Sequence, residues 1–524
     1  MMGSRHAVRL TITSLLVAVG ACGRDAAPGP PVAGGRVRIA VLQPLDFASP
    51  LYGMGPITAG LADHVIPPLG RIDDQGVLRM LLARRFVDTG AHIDFTLRPG
   101  RWEDGVPVTP RDIRTSARLL RDPRVHSPER SRTDLLRDCV ALDDSTVRLE
   151  FATIYARRRR DALLAPLPSH LAPWPAGSDT TRDRPYAGSV LACGPYRIAA
   201  SNAQRLLLVR NDGSGFPAAR LDSVQVELTT AEDAVRDYRA GRIDAIWDLP
   251  ATHIPEVRRR RRTRAIALVG SSYVFVGWNL RDARLADPVV RRAAALAVDV
   301  PRLVHDLSLG LGNPARGPLT ALAGFADTTA VLPHDPESAR QLLEGAGWRD
   351  EDGDGVRERR GARLELHLLV TQDDPLRVEL GQRVARDLAP VGLRVEVREL
   401  RPEELALRLA SGAFEAFVGQ WFPDAEGELD PVWRSDYTDR QNFGGYASRV
   451  ADSLLTRLSH ELDPPDRERV LAAFQTHVYA DQPYLFLFQN PHFLVLAPHL
   501  QGAEPEIVAP FWNLPEWWVS APLR

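Results

Sequence analysis

Apolar and polar side chains alternate between residues 92 and 97, which is the period-two pattern of a half-buried β-strand. Ile93, Phe95 and Leu97 are separated by polar residues, so all three are expected on the buried face of one sheet. Pro99 ends the run, because proline has no backbone N–H to give to a strand ladder. The stretch predicts a short strand with one buried face.

A turn and a helix are predicted directly after this strand. Asp104 and Gly105 form a typical turn pair, and the chain from there to residue 108 is expected to be extended. Thr109 is a favourable helix N-cap, Pro110 suits the first helical position, and Asp112 adds an acidic side chain to the first turn. A helix is therefore expected to begin at Pro110.

Other apolar runs predict further strands, and Asp287-Pro288 predicts the start of another helix. The segment from Gly241 to Asp244 is expected to end one helix and begin a strand. The predicted strands lie at 146–151, 206–211, 273–280, 364–370, 417–421 and 484–488.

The order of these motifs resembles a known family. Phe95 to Arg98 (FTLR) is followed by Trp102, the Asp-Gly turn, Pro-Val-Thr and a helix that ends in Leu-x-Asp-Pro. This order is similar to the signature of the ABC-transporter solute-binding proteins of family 5, the extracytoplasmic peptide- and nickel-binding proteins. The similarity continues through DSTV at 144–147, LPSH at 167–170 and CGPY at 193–196.

The resemblance implies an α/β architecture, the class II periplasmic-binding-protein fold, with two lobes, a hinge and an extra inserted domain in the first lobe. Two crossings between the lobes are implied, one near the strand at 273–280 and one near the strand at 484–488. The implied domains are a discontinuous domain I at 36–72, 187–266 and 485–524, an inserted domain at 73–186 and a second lobe at 267–484.

The N-terminus has the pattern of a bacterial lipoprotein signal. Arg5 and Arg9 precede a short apolar run from residue 10 to 20, and small residues lead to Cys22. Residues 1–21 are thus expected to be a signal peptide, Cys22 to carry lipid and 22–35 to be a flexible tether. The alternative is an ordinary signal peptide with an incidental cysteine.

Composition fits a large protein of two or three domains. The chain has 524 residues with 44% apolar content, and we find no second apolar stretch long enough to span a bilayer. A net charge of −2 argues against nucleic acid as a partner. Two arginine runs, at 157–160 and 258–262, are expected to be solvated faces because no aromatic residues interleave with them.

Two cysteines remain besides Cys22. Cys139 and Cys193 both lie in or beside segments expected to be strands, and export to an oxidising compartment permits a disulfide between them. Two buried free thiols are the alternative, since a bond requires Cα atoms closer than about 7 Å.

The strongest candidate for ligand recognition is the sequence from Phe417 to Pro431. An apolar strand ends at Trp421, Phe422 follows, and Asp424 lies three residues beyond the tryptophan. An aromatic wall beside a carboxylate suits an amine, because a buried ammonium group requires an opposite charge. The stretch is similar to the Trp-x-x-Asp of dipeptide- and oligopeptide-binding proteins, which implies that Asp424 holds a peptide's N-terminus. The alternative is that Trp421 is core and Asp424 caps a loop.

Other aromatic residues of the same region, namely Trp433, Tyr437, Phe443 and Tyr446, are candidates for the lining of the site or for packing.

Catalytic and metal motifs are not found in the sequence. There is no Gly-x-Ser-x-Gly, no His-Glu-x-x-His and no phosphate loop, and the 13 histidines show no metal-ligand spacing. Asp350, Asp352 and Asp354 match the first half of a calcium loop, but Gly361 stands where a bidentate glutamate is needed. A tight hairpin turn is the preferred interpretation, and neither a cofactor nor a metal is expected.

The resemblance thus implies a non-enzymatic, lipid-anchored receptor of an ABC importer that closes on a short peptide and delivers it to permease subunits. It is expected to be a monomer, outside the cytoplasm, in the periplasm or at the cell surface. Alternatives are the same fold binding a nickel chelate or an oligosaccharide, a sensor or chaperone lipoprotein, and a secreted hydrolase. The hydrolase would require a nucleophile and a base that face the cleft.

Overall fold

The computed structural model describes residues 31–45, 51, 56–74, 76–125, 127–171, 191–270, 272–320, 329–422, 429–436, 441–507 and 509–520. The predicted signal peptide, Cys22, Tyr437 and Asp424 lie outside these residues.

Strands and helices of the described residues are numbered in chain order. The strands are β1 (Arg36–Val41), β2 (Gly70–Ile72), β3 (Leu78–Met80), β4 (Ala83–Asp88), β5 (His92–Leu97), β6 (Leu136–Ala141), β7 (Thr146–Phe151), β8 (Tyr196–Asn202), β9 (Arg205–Arg210), β10 (Ser223–Leu228), β11 (Ala245–Trp247), β12 (Arg264–Leu268), β13 (Tyr273–Trp278), β14 (Asn313–Pro314), β15 (Glu358–Arg359), β16 (Ala362–Arg363), β17 (Glu365–Thr371), β18 (Arg394–Leu400), β19 (Ala416–Trp421), β20 (Tyr484–Gln489), β21 (His492–Leu496), β22 (Leu500–Gln501) and β23 (Trp518–Val519). The α-helices are α1 (Pro56–Ala62), α2 (Pro110–Arg121), α3 (Arg158–Asp161), α4 (Ala231–Arg239), α5 (Ile254–Val257), α6 (Pro288–Ala297), α7 (Val300–Ser308), α8 (Pro336–Gly345), α9 (Pro375–Leu388), α10 (Pro402–Ser411), α11 (Asp430–Trp433), α12 (Arg449–His460) and α13 (Pro464–Asp481).

Two large sheets form the frame of the molecule. The first has seven strands in the order β12-β21-β11-β1-β10-β9-β8, and the second has six in the order β14-β20-β13-β19-β17-β18. A separate four-stranded sheet has the order β4-β5-β7-β6. We call the seven- and four-stranded sheets with their helices the first lobe, and the six-stranded sheet with its helices the second lobe.

The second-lobe sheet is buried on both faces, which explains the nearly continuous apolar sequence of β13. Val274 and Val276 pack into one core cluster, whereas Tyr273 and Phe275 pack into another on the opposite face. Successive side chains of a strand point to opposite faces, so every position of β13 is buried. A strand of this kind lacks the simple alternation that marks β5.

The strand and helix predicted at 92–121 are confirmed. Ile93, Phe95 and Leu97 are buried in β5, and α2 begins at Pro110 after the Thr109 N-cap. Asp112 is 1% exposed and accepts hydrogen bonds from the Thr109 backbone N–H at 2.7 Å and the Trp102 indole N–H at 3.3 Å. Its other carboxylate oxygen accepts the Ser169 backbone N–H at 2.7 Å. One carboxylate therefore joins the turn, the helix and the LPSH segment.

Replacement of Asp112 by asparagine is expected to lower the free energy of unfolding by about 1–2 kcal/mol, because an amide has one acceptor oxygen for donors that now approach two. Chemical denaturation of the purified variant measures this change. Asp144→Asn, in an exposed turn, is the control and should leave stability within about 0.5 kcal/mol of wild type. Equal stability of the two variants would contradict the role assigned to Asp112.

The sheets show where the chain passes from one lobe to the other. β20 pairs with β13 in the second-lobe sheet, so the passage back to the first lobe comes after Gln489. β12 lies wholly in the first-lobe sheet, so the first passage comes after Leu268. The described residues that link the two sheets, 269–270 and 272 in one link and 490–491 in the other, are called the crossing segments.

The disulfide expected as one alternative is not formed. Cys139 and Cys193 are free, buried thiols. Cys139 lies in β6, but Cys193 precedes β8 and donates its backbone N–H to Val65 rather than lying in a strand. Burial raises the pKa of the Cys139 thiol to about 12, so it stays protonated and unreactive at neutral pH.

Candidate functional site

Both crossing segments lie beside the carboxyl ends of strands from both lobes. In the first lobe β1 runs parallel to β10 and β11, and in the second lobe β17 runs parallel to β18 and β19. The antiparallel pairs Trp247↔Leu494 and Tyr273↔Trp421 bring the ends of β11 and β19 next to the crossing segments. Ligands of open α/β sheets bind beyond the carboxyl ends of strands, so we place the candidate site here, between the lobes.

Trp421 and Phe422, two of the three residues selected from the sequence, lie at this edge. Trp421 is the last residue of β19 and is partly buried, whereas Phe422 is 44% exposed. The third, Asp424, lies just beyond the described residues. The structure therefore places the predicted aromatic residues between the lobes, and the assignment of a ligand to them stays a prediction.

Trp421 belongs to a row of parallel rings that we call the aromatic column, formed by Phe443, Trp421, Phe275 and Tyr484. Neighbouring ring centroids are 6.5, 6.0 and 4.1 Å apart along this order, and the rings are within 15° of parallel. The Trp421 indole nitrogen is buried and makes no well-formed hydrogen bond. It lies near the Tyr484 hydroxyl, where it opposes part of the rise that burial causes in the pKa of Tyr484. The column fixes the plane of the Trp421 ring.

Two glycines make room for aromatic rings in the column and beside it. Gly419 pairs with Phe275 across the strands, and Gly277 pairs with Phe417, so each ring lies over a residue without a side chain. A Cβ atom at Gly419 would lie 2.5 Å from the Phe275 ring, and one at Gly277 would lie 2.4 Å from the Phe417 ring. Aromatic rings that cover cross-strand glycines recur in β-sheets.

Two further aromatic candidates are core residues. Trp433 and Tyr446 are 2% and 5% exposed and pack edge to face against each other at 5.9 Å. The Tyr446 hydroxyl donates to Asp481 at 2.8 Å, which satisfies its polar end. Their role is packing, whereas Phe443 remains at the edge as one end of the aromatic column.

A continuous line of hydrogen bonds passes between the lobes at the same edge, and we call it the crossing chain. The Gln420 amide donates to Ser272 Oγ at 2.8 Å, and Ser272 Oγ lies 2.9 Å from His492 Nε2. His492 Nδ1 lies 2.6 Å from Asp248 Oδ1, and the Gln43 amide donates to Asp248 Oδ2 at 3.0 Å. Side chains from the ends of three strands and from both crossing regions meet in this line.

His492 lies in a closed environment. It is 4% exposed and its ring stacks on Trp247 at 6.2 Å, with Phe422 at 5.6 Å. Burial lowers the pKa of His492, but the charge of Asp248 and the hydrogen bond to it prevail and raise the pKa above its ordinary value. Protonation thus stabilises the folded protein below the ordinary histidine pKa of about 6.5, and this contribution is lost as the pH rises through the raised value.

Three members of the crossing chain have the connectivity of a Ser-His-Asp triad. Ser272 lies next to the imidazole, and Asp248 holds its other nitrogen. Ser272 is nevertheless 0% exposed, and its hydroxyl oxygen already accepts the Gln420 amide. The hydrolase alternative requires a nucleophile that faces the cleft, whereas the Ser272 hydroxyl is enclosed and already hydrogen-bonded.

Sequence reasoning did not find the crossing chain. Ser272 and His492 are separated by 220 positions and Asp248 and His492 by 244, so no local motif contains them. The backbone of Asp248 is unusual, since its φ is 63°, a left-handed conformation that aspartate tolerates better than most residues.

The lobes also touch away from the crossing segments. The Ala156 backbone N–H of the first lobe donates to the Ser459 carbonyl of the second at 3.2 Å. A cavity of about 390 Å³ lies beside this contact and is lined from both lobes, including Leu78 and Leu471. This hydrogen bond links the lobes at a second place, away from the crossing segments.

The acidic turn at 350–358 has the structure of a hairpin turn. Oxygen atoms of Asp350, Asp352 and Glu358 come within 4.8 Å of one another. Asp350 accepts the backbone N–H groups of Gly353 and Gly355 at 2.8 and 3.0 Å, so the turn satisfies this carboxylate itself. β15 and β16 pair directly after it.

Two lobes on separate sheets, joined by two crossing segments beside the ends of their strands, define the class of hinged solute-binding proteins. The chain belongs to the bacterial extracellular solute-binding proteins of family 5, whose model, described as the family 5 middle, matches residues 78–443. None of the helices within the described ranges combines the length and apolarity needed to cross a membrane.

Relatives cover almost the whole chain. Protein XP55 of Streptomyces lividans is 29% identical over 95% of this chain and 93% of its own length, and oligopeptide-binding protein AppA of Bacillus subtilis is 23% identical over 94% and 93%. The solved structure of AppA with a nonapeptide has a TM-score of 0.82 and 21% identity, covering 94% of this chain and all of that one. NikZ of Campylobacter jejuni with Ni(L-His) has a TM-score of 0.81 and 21% identity, covering 92% and 99%. The fold is thus the two-lobed α/β fold that the sequence predicted.

Proposed function

We propose that this protein is a lipid-anchored receptor that binds short peptides between its lobes and delivers them to the permease of an ABC importer. The observation that carries the proposal is the position of Trp421, the last residue of β19, and Phe422, directly after it, beside both crossing segments. Closure of the lobes would enclose a ligand that lies against these rings. A relative that covers nearly the whole chain is named as an oligopeptide-binding protein, which supports a peptide as the ligand.

Asp424 is proposed as the group that pairs with the ammonium of the peptide. It follows the exposed Phe422 by two residues, so it lies close in sequence to the interlobe edge. A charged ammonium enclosed between lobes needs a carboxylate, because an unpaired buried ion costs several kcal/mol. Main-chain hydrogen bonds to the remainder of the peptide would leave its side chains free and permit a range of sequences.

Attachment to the membrane is proposed through Cys22, with residues 22–35 as the tether that separates the lipid from β1. This places the two lobes outside the cytoplasm, where a permease receives the ligand. The protein is proposed to act as a monomer and without catalysis.

Loss of the Asp424 carboxylate is expected to weaken peptide binding about tenfold or more, which corresponds to about 1.4 kcal/mol. Native mass spectrometry of the purified protein first identifies a co-purified ligand, and calorimetry then compares Asp424→Ala with wild type for that ligand. Asp436→Ala removes the same charge from an exposed position of the same region and is the matched control. Equal affinity in wild type and Asp424→Ala would refute the ammonium anchor, and a nickel chelate or oligosaccharide in the spectrum would refute the peptide.

A further inference from the structure

In the crossing chain, a side chain at the end of one crossing segment contacts a side chain that directly follows the other. Ser272 is the last residue before β13, and His492 is the first residue of β21, so Ser272 ends one segment and His492 directly follows the other. Their hydrogen bond at 2.9 Å closes the link between the segments. Both residues are buried, so water does not compete for this bond.

The members of the chain belong to different moving parts. Asp248 and His492 stay together in the first lobe, since the Asp248 backbone N–H donates to the Phe493 carbonyl at 2.9 Å. Gln420 belongs to the second lobe, where it pairs with Val274 across β19 and β13. A rotation between the lobes therefore leaves the Asp248–His492 contact intact and acts on the hydrogen bonds of Ser272.

We propose that His492 is a positioning residue for lobe closure, which acts by holding Ser272, and through it Gln420 on the second lobe, at the interlobe angle of this structure. We call this arrangement the closed form, because the lobes also touch at Ala156 and Ser459. The proposal rests on the interlobe binding proposed above and adds the element that sets the closed angle. Asp248 fixes the imidazole with one nitrogen toward Ser272, and the rings of Trp247 and Phe422 restrict its rotation. His492 does this without touching the ligand.

The donor and acceptor roles of the groups in the crossing chain are consistent with this positioning role. Both glutamine amides donate toward the centre, and Asp248 accepts from both of its sides. His492 Nδ1–H donates to Asp248 in both protonation states of the ring, whereas the Ser272 hydroxyl donates to Nε2 when the imidazole is neutral and Nε2–H donates to Ser272 Oγ when it is protonated. Removing the hydroxyl leaves the Gln420 amide and the imidazole without their shared partner, and the link between the lobes is lost.

The test measures the distance between the lobes by single-molecule fluorescence. Dyes are attached at Val87→Cys on β4 and Leu407→Cys on α10, which are 41% and 71% exposed. Cys22 is replaced by serine in every variant, while Cys139 and Cys193 are buried and stay unlabelled. Variants Ser272→Ala, His492→Asn and His492→Gln are compared with wild type, first without peptide and then with a tryptic digest of casein. Thermal unfolding of each variant establishes that it is folded.

Without peptide, Ser272→Ala and His492→Asn are expected to reduce the ratio of closed to open molecules about five- to tenfold, the effect of one lost buried hydrogen bond. Asparagine can reproduce Nδ1 toward Asp248 but not Nε2 toward Ser272, whereas glutamine reaches the Nε2 position. His492→Gln is therefore expected to restore most of the closed population.

Unchanged distance distributions in Ser272→Ala and His492→Asn would overturn the proposal. So would covalent labelling of Ser272 by a fluorophosphonate, since the three residues would then act as a nucleophilic triad. The peptide-binding proposal is judged separately: if the casein digest fails to shift the wild-type distribution, that proposal fails, while the comparison of unliganded variants still decides the role of His492.

Discussion

Replacement of Arg291 by methionine is expected to lower the free energy of unfolding by about 3–5 kcal/mol, the largest effect of any single change considered for this protein. Arg291 is 6% exposed, and its guanidinium donates to the backbone carbonyls of Leu285, Ala286, Asp481 and Gln482 at 2.7–3.1 Å. Methionine fills a similar volume but donates no hydrogen bond, so four inward carbonyls lose their donor.

The consequence extends to the site. Gln482 ends α13 in a left-handed conformation with φ of 47°, and β20 begins two residues later with Tyr484, one end of the aromatic column. Arg291 thus positions the start of β20. Urea denaturation measures the loss of stability, and Arg302→Met, at a side chain that is 72% exposed, is the control, expected within about 0.5 kcal/mol of wild type. A similar small change in Arg291→Met would show that its carbonyl contacts add no stability.

Replacement of Gly419 by alanine is expected to lower the free energy of unfolding by about 2–3 kcal/mol and to weaken ligand binding. The added Cβ would lie 2.5 Å from the Phe275 ring and 2.9 Å from the Phe417 ring, closer than atoms in a packed core approach. Phe275 stacks on both Trp421 and Tyr484, so it has no free direction in which to move. Any displacement of Phe275 would therefore also displace the Trp421 ring at the interlobe edge.

Gly345→Ala is the matched control for this substitution. Gly345 ends α8, and a Cβ there meets no atom within 4 Å, so alanine is expected to be neutral or slightly stabilising. Thermal unfolding and calorimetry with the identified ligand measure both effects. Normal stability together with normal affinity in Gly419→Ala would mean that the aromatic column does not determine the position of Trp421.

The absence of a catalytic motif in the sequence and the triad-like contact in the structure are compatible. A triad catalyses when its hydroxyl meets a substrate carbonyl. In this fold the same three residue types occupy the interior between two crossing segments, and an amide covers the hydroxyl. The chemistry of these groups then serves to hold two lobes in register, which suits a protein that binds and releases a solute.

Local sequence patterns predicted the local structure well. β5, α2, β7 and the end of β19 at Trp421 follow from alternation, capping and turn residues, because these signals act between neighbours in the chain. The membership of β20 in the second-lobe sheet could not be predicted, since an apolar strand carries no mark of the sheet to which it belongs. The disulfide was not predictable either, because a pair of cysteines gives no distance.

The sequence by itself determined the family, the α/β class and the position of an aromatic pair, Trp421 and Phe422, at a strand end. The tertiary structure alone decided that Phe275 and Tyr484 stack beside Trp421, and that Ser272, His492 and Asp248 meet. The physical reason is that periodicity and capping report interactions over a few residues. Contacts between residues far apart in the chain arise only when the strands assemble into sheets and the two sheets bring their strand ends to one edge.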